Sequence, residues 1–216
     1  MGATTQNLQQ TADVLGLREA LNLLTVQLCE LLDALVMLTE RSADVLMAGR
    51  THGQQAVPIP FGFKVSIWMD AMLRHLERFQ QLRPRLLTAM MGGAVGNFAS
   101  LGEIGPAVQR EVAKRLRLTP MPLPADPVAE LVCLLGMLAS TGSAVASEVA
   151  RLMANEFGKV SEALGEGDVG SSTTPQKRNP KKSAAVIALS AQIRALVPLA
   201  LEEKRSPFAW TSSGDA

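Results

Sequence analysis

Tyrosine is absent from the 216 residues, aromatic residues together make up only 4%, and there are just two cysteines and two histidines. Each scarcity removes a class of protein. Two cysteines cannot staple a disulfide scaffold. Cys29 and Cys133 lie in apolar runs, where a free thiol packs as a small buried hydrophobe. With His52 and His75 they show none of the spacings of a zinc site, and neither a metal nor a cofactor is expected. Charge of one sign is lacking too: 21 Lys and Arg face 20 Asp and Glu, a formal +1, so no field draws the chain to nucleic acid or an anionic membrane. The segment Met1 to Gln6 has no basic stretch leading into an apolar one, and no uninterrupted apolar run nears the ~20 residues that span a bilayer. The expectation is a soluble cytoplasmic protein with neither nucleic-acid nor membrane partners.

What is present is aliphatic. Hydrophobic residues make up 47%, mainly Leu, Ala, Val and Met, and this balance favours helices over sheets. Leu17, Leu21, Leu24, Leu28, Leu31, Leu35 and Leu38 alternate spacings of four and three, a coiled-coil-like stripe. A helix from about Thr11 to Leu46 would be roughly 50 Å long at 1.5 Å per residue, which suits a bundle shared between subunits. After a turn at Gly49 to Pro60, a second helix is expected from Gly62 to Leu82, where Pro84 perturbs it. Further helices fit Pro106 to Leu116, Val128 to about Lys159, and a stretch beginning at Pro180. No segment reads convincingly as a strand. The fold class is all-α, a bundle of long helices. Gly92-Gly93-Ala94-Val95-Gly96 lacks the G-x-G-x-x-G spacing and a preceding strand, which excludes a dinucleotide site. His75, beside Arg74 and Glu77, reads as a surface or packing residue.

The chemistry concentrates in Gly170-Ser171-Ser172-Thr173-Thr174-Pro175-Gln176-Lys177-Arg178-Asn179-Pro180. Clustered backbone N–H groups, hydroxyls, two cations and an amide ahead of a helix start suit an anionic substrate. A free serine is a poor base; Ser171 can take a proton only where its alkoxide is stabilised, and backbone donors with the Lys177 charge are suitable stabilisers.

This loop resembles the fumarase/aspartase superfamily signature G-S-S-x-M-P-x-K-x-N-P, with Thr174 where the family usually has Met. Gly49-Arg50-Thr51-His52-Gly53-Gln54 looks like the family's G-R-T-H-x-Q. Gly2-Ala3-Thr4-Thr5-Gln6-Asn7 resembles its first motif, with Asn7 in place of the usual Asp, and Gly93-Ala94-Val95-Gly96 fits its G-A-x-G. The blocks occur in the family's order across nearly the whole chain. The G-R-T-H-G-Q form, Phe61-Gly62-Phe63-Lys64 and Lys177-Arg178-Asn179-Pro180 look most like the adenylosuccinate lyase and 3-carboxy-cis,cis-muconate cycloisomerase branch.

The resemblance implies that Ser171 is the base removing a proton next to a carboxylate, and that His52 is the acid for the departing group or positions it. Lys177 and Asn179 hold the substrate carboxylate and stabilise the aci-carboxylate, and Ser172 belongs to the same substrate-binding segment. Thr4 and Thr5 bind a carboxylate, Gln54 contacts substrate, and Arg205 fits a substrate-contacting arginine near the end of the region. A homotetramer with a shared helical core is implied, each active site drawing its motifs from three subunits, so that Ser171 and His52 meet between chains. Residues 1–216 would be the central helical domain, without the family's flanking domains. The family's Arg before Asp126 is replaced by Ala125, and Glu203 stands where this branch often has His. Three functions follow: fumarate-releasing β-elimination from an adenylosuccinate-like carboxylate, a cycloisomerase forming a lactone from a carboxymuconate, or a catalytically silent helical assembly module.

Overall fold

The computed structural model describes residues 2–120, 126–163, 171, 174 and 176–203. Helices dominate, as composition predicts: α1 (Thr5–Arg41), α2 (Phe61–Leu86), α3 (Gly105–Leu116), α4 (Pro127–Met153) and α5 (Lys181–Glu203), with one 3-10 turn at Gly102–Ile104. The expectation of no strands is corrected. Leu46–Thr51 (β1) and Gln54–Pro60 (β2) form an antiparallel hairpin where only a turn was expected. Thr88–Ala89 (β3) and Thr119–Pro120 (β4) pair in parallel over two residues. Pro58 and Pro60 interrupt the strand pattern in the sequence, yet a proline is tolerated on a two-stranded ribbon whose outer edge needs no donor.

Helix ends depart from expectation for local reasons. Helix α1 begins early because Thr4 and Asn7 exchange hydrogen bonds, each side-chain oxygen accepting from the other's backbone N–H at 3.3 Å. It ends early because the Ser42 hydroxyl donates to Leu38 O at 2.5 Å and the chain turns toward β1. Pro84 lies in the last turn of α2, so the helix continues to Leu86 with one ladder bond lost. Helix α4 stops at Met153, short of Lys159, where Gly158 takes a positive φ of 53° and Phe157 N–H bonds Ala154 O.

The chain divides into two compact units. The first comprises residues 1–30, 75–134 and 197–216. Its core sets Val14 of α1 against Ala89, Ala113 and Leu118, flanked by Leu87, Val112 and Leu116. Phe79, Leu82 and Leu86 are at most 1% exposed. Replacing Phe79 with Ala should cost about 3–5 kcal/mol through lost transfer energy and a residual cavity. Chemical denaturation at fixed protein concentration checks this; a cost below about 1 kcal/mol would mean that the site is not core. His75 is buried, with Nδ1 3.5 Å from an Arg78 guanidinium nitrogen, which settles it as a packing residue.

The second unit comprises residues 31–74 and 135–196. It buries Met47, Val65, Met72, Ala146 and Leu152. Gly62 is required here: a Cβ would stand 2.6 Å from Thr39 O, so only glycine lets the start of α2 touch the end of α1.

Two further expectations are revised. Cys29 is exposed and Cys133 half-buried, because Cys29 lies off the buried ridge of Leu21, Leu28 and Leu32. Leu31, a member of the stripe, is 41% exposed for the same reason. Three helices (α1, α4 and the Lys181–Glu202 part of α5) are also long and apolar enough, by length and composition, to cross a membrane. The count of uninterrupted apolar residues missed them because such windows tolerate one or two charges. Within one chain only 22%, 22% and 6% of these windows are buried, which leaves much apolar helix surface uncovered.

Candidate active site

The hairpin presents His52 at its tip. Thr51 pairs with Gln54, so His52 and Gly53 are the two turn residues, and both have positive φ, 49° and 77°. This is the two-residue type I′ geometry that matches strand twist. Gly53 adopts it freely, whereas His52 does so at a cost of the order of 1–3 kcal/mol. The imidazole and Gln54 both project into solvent. Arg50, on β1 beneath the turn, lays its guanidinium 4.6 Å from the Phe157 ring centre, and Arg151 approaches the same ring at 5.8 Å. Arg151 also pairs with Glu148 at 2.9 Å, and Glu148 accepts from Lys64. A chain of charge and aromatic contacts thus joins the hairpin to α4 and α2. An open groove of about 360 Å³ runs along the hairpin base, lined by Met47, Ala48, Gln55, Val57 and Lys159; neither His52 nor Gln54 lines it.

Ser171 is half-buried, and its Oγ accepts the backbone N–H of Thr174 at 3.2 Å. Thr174 O in turn accepts Lys177 N–H at 3.0 Å. The donor to the Ser171 oxygen comes from the main chain at the one position where the signature segment is altered. Lys177 is exposed and Asn179 half-buried just before α5. Ser172, Arg205 and Ala125 lie outside the described residues.

Thr4 and Thr5 belong to the other unit. Thr5 is exposed, while the Thr4 oxygen serves the α1 cap, leaving its O–H proton for an acceptor. Asn7 holds this motif to the glycine loop: its Oδ1 accepts Gly93 N–H at 3.0 Å and its Nδ2 donates to Gly93 O at 3.5 Å. An amide makes both bonds, whereas an aspartate makes only the first. Thr11 repeats the arrangement one turn on, its hydroxyl accepting Met90 N–H at 3.2 Å and reaching Met90 O at 3.4 Å. Sequence reasoning noted Asn7 only as a departure; the Thr-x-x-Asn spacing was the signal that could have identified its capping role.

Within one chain the site residues form separate groups. Ser171, Thr174 and Lys177 share one turn, His52 and Gln54 stand at the hairpin tip, and no hydrogen bond joins these two groups among the described residues.

A lyase family model matches residues 1–195, so the chain belongs to that family of lyases. Its place lies in the fumarase/aspartase superfamily, on the adenylosuccinate lyase and carboxymuconate cycloisomerase branch. N-acetyl-S-(2-succino)cysteine lyase of Dickeya dadantii is 34% identical over 97% of this chain and 48% of its own length. Adenylosuccinate lyase of Pyrococcus abyssi is 40% identical over 88% of this chain and 43% of its own. The crystal structure of 3-carboxy-cis,cis-muconate lactonizing enzyme from Pseudomonas putida superposes with a TM-score of 0.84 at 37% identity, covering 92% of this chain and 45% of that one. The chain spans less than half the length of these relatives.

Proposed function

We propose that the chain supplies the catalytic core of a lyase that eliminates fumarate from a succinyl-bearing substrate of the adenylosuccinate type. The observation that carries this reading is the Ser171 oxygen held against the Thr174 N–H, inside a segment bearing Lys177 and Asn179. The Ser171 alkoxide takes the proton from the carbon next to a carboxylate, and the electron pair moves onto that carboxylate as an aci-carboxylate. The Lys177 cation and the Asn179 amide N–H donors, bound to that carboxylate's oxygens, offset the second negative charge. Collapse forms the fumarate double bond and breaks the bond to the leaving nitrogen, which takes a proton through His52. Thr4, Thr5, Gln54, Ser172 and Arg205 complete the carboxylate and substrate contacts.

His52 and Gln54 are exposed within one chain, which favours a site closed by neighbouring copies, the hairpin of one approaching the Ser171 segment of another. No hydrogen bond joins the two groups among the described residues, and a shared site in a tetramer brings them together between copies. The likeness to the carboxymuconate lactonizing enzyme favours a second reading, in which the same base and acid interconvert a lactone and a carboxymuconate.

The test is direct. Adding adenylosuccinate to the purified chain should raise the ultraviolet absorbance of fumarate; loss of carboxymuconate absorbance instead selects the cycloisomerase. A folded oligomer silent toward both substrates, and toward N-acetyl-S-(2-succino)cysteine, would overturn the enzymatic reading and leave a helical assembly module.

A further inference from the structure

Helix α5 begins without a cap of its own. Pro180, the residue before Lys181, has no side-chain acceptor, so the N–H groups of the first turn need a partner from elsewhere. Glu162 provides it from twenty residues upstream. One carboxylate oxygen accepts the Ser183 N–H at 2.8 Å and the Ser183 hydroxyl at 2.7 Å, and the other accepts the Lys182 N–H at 3.0 Å. The Lys182 ammonium returns across the same gap to Ala163 O at 3.0 Å. Ser183 is buried, while Glu162 is half-buried and Lys182 exposed, so the Ser183 bonds form the sheltered part of the junction. Four hydrogen bonds therefore join the two chain ends that bracket Ser171, Lys177 and Asn179.

We infer that Glu162 is a positioning residue: by tying residue 162 to the first turn of α5, it fixes both ends of the segment that carries the Ser171 base. The inference rests on the catalytic reading of Ser171 given above. Geometry and electrostatics support it through the same set of hydrogen bonds. A carboxylate at a helix N-terminus is favoured by the helix dipole, and it satisfies donors that would otherwise be orphaned. Burial works to raise the Glu162 pKa, but the Ser183 hydroxyl, the two backbone N–H groups and the Lys182 charge outweigh it and hold the carboxyl below its usual range. The ionised form is the one that makes the tie.

Glu162→Ala and Glu162→Gln separate positioning from simple capping. Loss of a cap should accelerate amide exchange at Lys182 and Ser183 by about tenfold. A positioning role predicts that exchange also accelerates at Thr174 and Lys177, whose N–H groups bond Ser171 Oγ and Thr174 O. The effect should be graded, since Gln keeps one acceptor but turns an N–H₂ toward Lys182. Turnover should fall in the same order through kcat, with KM little changed. Acceleration confined to Lys182 and Ser183, with Thr174 and Lys177 at their original rates, would overturn the inference and leave a helix cap. A wild-type chain silent toward every substrate would instead strike the catalytic reading, and the Thr174 and Lys177 exchange rates would still decide whether the tie holds the segment.

Discussion

Ser171→Ala should lower turnover by about 10²–10⁴-fold, the usual contribution of a positioned general base, while leaving the fold intact. The small structural cost follows from what the side chain does. Ser171 is half-buried and, among the described residues, accepts one hydrogen bond, from Thr174 N–H, worth about 0.5–1.5 kcal/mol. A large kinetic loss with a small stability loss distinguishes a reacting group from a packing group, whose removal would affect both. Thr174→Met is the matching control. It restores the usual signature residue and changes only a side chain, whereas the bond to Ser171 comes from the backbone, so turnover should be unaffected. Steady-state kinetics beside denaturation curves read all of these outcomes. Turnover retained in Ser171→Ala would remove the residue from the chemistry and, with it, the mechanism proposed above.

How much of this was legible in advance depends on the range of the physics involved. The helices were, because a 3.6-residue apolar period is a local property and Leu21, Leu28, Val65 and Phe79 fell where it put them. The signature segment was, because its residues are contiguous. The hairpin was not, since Pro58 and Pro60 hide its period and its register depends on two residues with positive φ. Long-range partners were harder still. Nothing in the sequence near Phe157 points to Arg50, about a hundred residues upstream, and nothing near Pro180 announces that Glu162 will cap α5. Such contacts become visible only once the chain has turned back on itself. Asn7 lies between these cases: its spacing from Thr4 is local, but its double bond to Gly93 is not.

The second large effect should be on assembly, and α5 shows why. Val186, Leu189, Ile193 and Leu196 follow the three-and-four spacing of a coiled-coil seam, yet all are exposed, Leu189 by 58%. The positions that α5 does bury include Ser183 and Ser190. The helix thus turns small hydroxyl residues inward and its aliphatic ridge outward, an arrangement that is stable in water only if something covers the ridge. Arg194 and Gln192 within the same helix disfavour lipid as the cover and favour helices of further copies, in line with a shared bundle core. Covering an exposed Leu or Ile side chain fully is worth about 1.5–3 kcal/mol. These four are about half exposed, so a seam of four, repeated in every copy, contributes an amount comparable with the usual cost of association. The wild-type chain should therefore sediment as a homo-oligomer, with a tetramer as the expected mass. Leu189→Glu combined with Ile193→Glu should shift it to smaller species and abolish turnover with it, because the shared site proposed above needs the His52 hairpin of one copy beside the Ser171 segment of another. Mixing this variant with Ser171→Ala cannot restore activity if the seam is what joins the copies. A wild-type chain that is monomeric at assay concentration, or that floats with neutral lipid vesicles instead of self-associating, would overturn the shared-core reading.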